Sequence, residues 1–362
     1  TKDFKTTLGF KFDEAFDQIE REVKNVQQNV GLCEVNGFNR IEITGSDRHN
    51  FLDRIFCGNV KKQTGKVGLG YFLNHHGMLK GEATIANLPQ SDRGPERVWY
   101  GSAAASEYHD MDWLRQHLNP NDDVQLKSLT NDITILVIAG PNARKVLSAC
   151  SRGDWSKDAF PWLSLRECFI GIAPATVMGV SFSGELAYEI HIPNASLYVA
   201  YLAIQKAGLE FNIKLFGARA VDSMRLEKGF LHWKADILTE FDPFETGIDK
   251  FVNMNKNEFI GKEALKKRQS KECLNKLVSL EISTKIAPAH GGATLSIKNK
   301  VIGTVTSGDW GHRINKNIAY AFIKSEYSSI GSEVFVDILG EKISAEIIET
   351  CPYDPNFDII KS

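Results

Sequence analysis

Ser181-Phe182-Ser183-Gly184-Glu185-Leu186-Ala187-Tyr188-Glu189-Ile190-His191-Ile192-Pro193 decides the reading of this chain. Two runs of β-forming residues, Ala175 to Phe182 and Ala187 to Ile192, flank a short Ser-Gly-Glu-Leu turn and predict a hairpin. Side chains alternate along a strand, so Tyr188, Ile190 and Ile192 share one face while Glu189 and His191 share the other. A polar alternate face is what an antiparallel sheet shows where one side meets water. A carboxylate in that position also suits a flat heterocycle with two adjacent N–H donors, such as a pterin. Glu185 reads as a turn residue.

On either side of the hairpin the hydrophobic periods define an α+β body. Phe12, Phe16, Ile19, Val23, Val26 and Val30 recur every three or four residues and predict an amphipathic helix that stops at Gly31. Arg40 to Thr44 alternates as a strand, and Gly45-Ser46-Asp47 offers a cap to a helix carrying Phe51, Leu52 and Ile55. Two strands are expected between Val67 and Asn87, around His75-His76-Gly77, and a further one from Arg97 to Gly101. Helices follow at about 107–117, 142–149 and 217–228, with a buried strand at 134–139. Residues 256–269 are charged and helix-prone. Beyond them six short strands between Leu277 and Ile348, separated by Gly, Asn and Asp turns, predict a small all-β barrel. The expected division is a body at 1–270, with room for two subdomains, and a C-terminal barrel at 271–362.

Composition narrows the function classes. The chain has 362 residues, 43% of them hydrophobic and 24% charged, with a formal net charge of −2. That length can bury a sizeable core. Near-neutral charge lacks the basic surplus of a nucleic-acid binder, and no apolar run approaches the roughly 18 residues of a membrane helix. The six cysteines are scattered without a Cys-x-x-Cys pair, which reads as reduced thiols in a cytoplasmic setting. His75 and His76 point apart if extended and have no sensibly spaced third ligand, so no metal site is expected.

Read in order, several words resemble the folate-binding aminomethyltransferase family, which includes the glycine cleavage T-protein and the folate domains of dimethylglycine and sarcosine dehydrogenases. They are Asn74-His75-His76-Gly77-Met78-Leu79-Lys80-Gly81-Glu82, Ala139-Gly140-Pro141-Asn142-Ala143-Arg144 and the hairpin itself. Gly217-Ala218-Arg219 leads to Asp222-Ser223-Met224-Arg225-Leu226-Glu227-Lys228-Gly229, then Pro243-Phe244-Glu245-Thr246-Gly247-Ile248-Asp249. Phe259 to Leu265 and Val305-Thr306-Ser307-Gly308 close the series, which covers nearly the whole chain.

The resemblance implies a tetrahydrofolate site and assigns residues to it. The family's catalytic acid, an aspartate in most members, falls five positions after Gly77, on Glu82. Such a carboxylate can take the proton released at the reacting nitrogens and stabilise a cationic centre. Glu189 matches the glutamate that clamps the pterin through paired hydrogen bonds. Phe182 stands where many members have tyrosine, and Ala103 where many have asparagine. Tyr188 is expected as a pterin wall or as core. Tyr100 sits near the strand that approaches folate in relatives. Arg225 is expected either on folate carbonyls or paired with Glu227. Trp233 is expected either as a lid or wall over the aminobenzoyl ring or as core, and Trp310 is a candidate at the folate mouth.

The implied reaction is tetrahydrofolate-dependent transfer of a one-carbon unit from a methylated amine or glycine-derived donor, giving 5,10-methylene-tetrahydrofolate. The alternative is S- or O-demethylation giving 5-methyl-tetrahydrofolate. A non-catalytic iron–sulfur assembly factor of the same superfamily is disfavoured, because Phe230 stands where those factors carry a working cysteine. No Gly-x-Gly-x-x-Gly follows a strand, so no dinucleotide site is expected in this chain. Phe230 to Asp236 and Glu240 to Pro243 look closest to the dehydrogenase-associated branch, which implies a flavin-dependent partner, separate or fused.

Overall fold

The computed structural model describes residues 9–35 and 37–362. Two open sheets and a closed barrel account for its strands. The first sheet runs in the order Ile213–Leu215, Val30–Val35, Ile133–Ala139, Ala187–Pro193, Ala173–Met178, Leu165–Ile170. It is antiparallel except where Val30 pairs with Ile213 at the edge. Its two faces bury different cores. Leu32, Ile138, Tyr188 and Ile190 pack under the helices Ala143–Cys150 and Leu197–Gly208. Cys33, Ala139 and Ala187 lie on the opposite face, under Phe16–Gln28 and Ala218–Glu227.

The second sheet is wholly antiparallel, in the order Val67–Leu73, Leu79–Leu88, Arg97–Gly101, Ile41–Thr44, Gln125–Ser128. On one face Ile41, Ile43, Ala83, Ile85, Val98 and Tyr100 pack against Phe51, Leu52, Met111 and Leu114 of two covering helices. The other face meets the first sheet: Ala86, Leu88 and Trp99 share a core with Leu165 and Met178. The third unit is a six-stranded antiparallel barrel spanning Asn275–Ile282 to Glu341–Ile348, closed by pairing between those two strands.

A buried ionic network locks the barrel to the body. Arg313 reaches from the barrel to Glu185 in the hairpin loop at 2.6 Å and to Glu227 at the end of the helix Ala218–Glu227, with all three side chains at most 2% exposed. Tyr353 donates its hydroxyl to Glu185 at 2.9 Å and lies under the Arg313 guanidinium. Asp236 accepts from Thr306 and Ser307 of the barrel and from Arg225 and the His232 N–H of the body. Each buried charge therefore has a counter-charge and hydrogen bonds, without which burial would be costly.

Several sequence expectations change here. Val30 belongs to a strand, because the helix Phe16–Gln28 ends at Asn29 and the Asn25 amide donates to the Val30 carbonyl at 2.9 Å. The hairpin exists, with Glu189 opposite Met178, but its first strand stops at Met178 and the connection is longer than four residues. Glu185 lies in the connection between the two strands, as expected, but is buried there against Arg313. The helix Leu197–Gly208 and the strand Leu165–Ile170 escape the sequence reading altogether. Within 256–269 only Lys262–Gln269 is helical, since Gly261 caps it with φ +84°. Among the described residues, no helix is long and apolar enough to cross a membrane.

Candidate functional site

Strand parity places the two candidate acids on the faces by which the two sheets meet. In the second sheet, Tyr71 lies opposite Glu82, Thr84 opposite Gly101 and Ala86 opposite Trp99. Glu82, Thr84, Ala86 and Leu88 therefore form one row, on the face that meets the first sheet. In the first sheet Glu189 and His191 face away from the helix-covered core of Tyr188 and Ile190. His191 touches the second sheet directly, with its ring 5.8 Å from that of Trp99. Two surface hollows elsewhere, beside Arg144 and Trp155 and beside Arg93 and Phe169, contain neither acid.

Glu189 is ionised. Its Oε2 is 3.1 Å from His191 Nε2, and its side chain keeps 23% exposure, so it is open to a ligand. Burial alone would raise its carboxyl, but the His191 hydrogen bond and the nearby Arg40 charge hold it below the ordinary carboxylate value. His191 in turn is buried and held down to about 4, by burial first and then by Arg40.

Glu82 has the opposite character. Burial, reinforced by the charge of Asp110, pushes its carboxyl up to about 7 against the pull of a hydrogen bond with Tyr71. A group that titrates near neutrality can hold or release a proton at working pH, as acid–base catalysis requires. This also ties stability to pH. Because the folded value lies above the ordinary 4.5, the native state carries no penalty at Glu82 at or below that pH and loses stability as pH rises through about 7. Glu82→Gln is therefore expected to match the wild type near pH 4.5 and to be more stable by about 1–3 kcal/mol at pH 8. Urea unfolding at the two pH values checks this. A stability difference independent of pH would show that the carboxyl is not desolvated.

The other nominated residues divide. Trp233 is buried with Tyr71 and Leu73, its indole N–H donating to Ser106 Oγ at 3.0 Å, in the cluster that holds the cross-strand partner of Glu82. Phe182 is 36% exposed and lies parallel to Phe230 with centroids 6.2 Å apart. Tyr188 is buried in the core under the helices Ala143–Cys150 and Leu197–Gly208. Tyr100 is fully buried on the opposite face from Glu82, donating its hydroxyl to Asp110 at 2.9 Å. Arg225 pairs with Asp236 and Asp222, not with Glu227. Trp310 packs on Phe12 and Phe16. Sequence reading missed Arg40, whose Nη2 lies 3.1 Å from His191 Nδ1. The signal available was Gly101: a Cβ there would come within 2.2 Å of Arg40 Nη1, so glycine makes room for the guanidinium.

Comparisons with known proteins agree with this architecture. Residues 2–256 match the family model of the GCVT N-terminal domain, and residues 275–354 that of the glycine cleavage T-protein C-terminal barrel domain. Mitochondrial dimethylglycine dehydrogenase of Rattus norvegicus is 32% identical over 336 residues, 92% of this chain but 38% of that protein. Sarcosine oxidase subunit alpha of Rhizobium meliloti is 30% identical over 355 residues, 94% of this chain and 35% of the relative. The chain thus spans about two-fifths or less of the length of these relatives. An aminomethyltransferase of Thermoanaerobacter is 27% identical over 350 residues and is covered to 93%. The crystal structure of glycine cleavage system aminomethyltransferase T from Bartonella henselae shares the fold, with a TM-score of 0.82, 20% identity and coverage of 93% of this chain and 90% of that one. The chain belongs to the glycine cleavage T-protein family of folate-dependent aminomethyltransferases.

Proposed function

We propose that this chain transfers a one-carbon unit from an amine to tetrahydrofolate, giving 5,10-methylene-tetrahydrofolate, with Glu189 binding the pterin and Glu82 handling the proton. The observation that carries the reading is the pair of acids on the facing surfaces of the two sheets, one held below the ordinary carboxylate value and the other titrating near pH 7. The residues present fit the folate. Glu189 offers an ionised oxygen with no partner among the described residues, matched to a ring edge with two N–H donors. Trp233 and Tyr71 supply an apolar wall beside Glu82. Tetrahydrofolate, when bound, supplies the nucleophilic nitrogen. Glu82 then accepts the proton released at that nitrogen, and its negative charge favours the cationic carbon donor.

The donor is proposed to be a methylated amine already oxidised by a flavin-dependent partner, separate or fused. Side chains do not accept hydride, and the relatives that this chain covers in part are named as a dimethylglycine dehydrogenase and a sarcosine oxidase subunit. The test supplies the protein with tetrahydrofolate and ¹³C-formaldehyde plus amine, and identifies the product by NMR. Labelled 5,10-methylene-tetrahydrofolate is expected to form faster than without protein. Dimethylglycine or sarcosine with an artificial electron acceptor should give no acceptor reduction until a flavoprotein dehydrogenase is added. Amine-dependent reduction by the chain alone would overturn the division of labour. Formation of 5-methyl-tetrahydrofolate from a thioether or ether donor would favour demethylation instead.

A further inference from the structure

Arg40 is a cation buried between the two sheets, at 4% exposure, with no carboxylate in ion-pair contact among the described residues. Its Nε is buried without a hydrogen-bond partner. Its polar contact is Nη2 to His191 Nδ1 at 3.1 Å, and its guanidinium also lies 5.8 Å from the Trp99 ring. An arginine has donors only. His191 Nδ1 must therefore be the unprotonated, accepting nitrogen, and Nε2 must carry the hydrogen. That hydrogen points at Glu189 Oε2, 3.1 Å away. The counter-charge of Arg40 is Glu189, reached through a neutral imidazole rather than by contact.

We infer that Arg40 and His191 are positioning residues for Glu189: Arg40 fixes His191 as the Nε2–H tautomer, and that N–H holds one carboxylate oxygen so that the other is presented to a ligand. The assignment rests on the proposed role of Glu189 in binding folate. A hydrogen-bonded second residue that orients a binding group is a recurring device where geometry must be kept within a fraction of an ångström. Here the relay also spans the junction of the sheets, because Arg40 directly precedes the strand Ile41–Thr44 of the second and His191 lies in the first. Other groups near Glu189 do not compete for it. Val137 and Met178 are its cross-strand neighbours, and Cys33, next across the sheet, has a thiol pushed up to about 11 by burial. Around Trp99, Arg97 is paired with Glu42 and Glu167 at 3.2 and 2.7 Å.

Two measurements test the relay. In the ligand-free protein labelled with ¹⁵N-histidine, the His191 resonances, identified by their loss in His191→Gln, should report a neutral ring protonated at Nε2 from pH 8 to pH 5. In Arg40→Met the preference for the Nε2–H tautomer should be lost and the ring should ionise at a higher pH than in the wild type, because nothing then forbids a proton on Nδ1, although burial still holds it below the ordinary value. A wild-type ring protonated at Nδ1, or one that ionises in the ordinary range near 6.5, overturns the inference whether or not folate binds. The second readout is tetrahydrofolate affinity. Glutamine can accept from Arg40 and donate to Glu189, so His191→Gln should bind within about threefold of wild type, whereas His191→Leu should lose at least about tenfold. Equal affinity in the two variants overturns the relay while leaving the folate reading intact. Wild-type protein that binds no folate removes the folate reading, and the NMR result alone then decides the tautomer lock.

Discussion

Glu82→Gln is expected to lower turnover by on the order of 10²–10⁴-fold while tetrahydrofolate affinity changes little. Proton transfer and charge stabilisation act as the N–C bond forms, so their loss falls on the transition state rather than on ground-state binding. The position of the carboxyl makes the pH dependence specific. A base must be ionised to act, and Glu82 titrates at about 7 because it is buried near Asp110. The wild-type kcat/KM should therefore rise with pH through about 7 and fall away on the acid side. In Glu82→Gln that limb should vanish along with most of the rate. Glu82→Asp, the residue most family members carry here, should restore part of it, which separates a chemical role from a packing one. Turnover near the wild-type level in Glu82→Gln would transfer the role to water or another acid.

That carboxyl was legible as a position in the sequence, but its environment was not. Counting five residues from Gly77 reached Glu82; only the register with Tyr71 and Gly101 shows that its row faces the first sheet. The same register moves Tyr100 to the opposite face, because it pairs with Ile41 and Ile85 and joins their core. The resemblance nominated it, as lying near the strand that approaches folate in relatives; a one-residue difference in parity sends its side chain to the other side. The hairpin and the barrel could be read because their alternation is local and strong. The helix Leu197–Gly208 could not, because Tyr198, Val199 and Leu202 lie exposed and blur the stripe that marks an amphipathic helix.

Long-range pairs were hidden for a different reason. Glu185 sits in a loop whose Ser-Gly sequence reads as a solvated turn, yet its partner Arg313 is 128 residues away in the barrel. Arg40 and His191 are 151 residues apart and meet only once the two sheets pack. Arg40 belongs to no motif, and His191, although it lies in the hairpin, reads as an ordinary polar-face residue when taken alone. What marks them in the structure is the cost of leaving a buried guanidinium unpaired, which only a specific arrangement of neighbours can offset.

Glu189→Gln is expected to weaken tetrahydrofolate binding on the order of 10²-fold with a much smaller change in kcat, the mirror image of the Glu82 variant. Both carboxylate oxygens are acceptors with two lone pairs each, so Oε1 and the remaining lone pair of Oε2, which already takes the His191 hydrogen, can meet a ring edge with two N–H donors. Glutamine has a single acceptor oxygen. Because Arg40 leaves His191 able to offer only its Nε2–H, that nitrogen claims the amide oxygen, and the amide NH₂ is turned toward the ligand. Donor then faces donor, and a charge-assisted hydrogen bond is replaced by an unsatisfied one. Glu189→Asp keeps the charge but shortens the reach by one methylene, so it should bind more weakly than wild type and better than the glutamine variant. Titration calorimetry or fluorescence quenching gives the three affinities, with kcat measured at saturating folate. A dissociation constant for Glu189→Gln equal to the wild-type value would mean that the pterin is held elsewhere, and that the ionised carboxylate serves the packing of the two sheets instead.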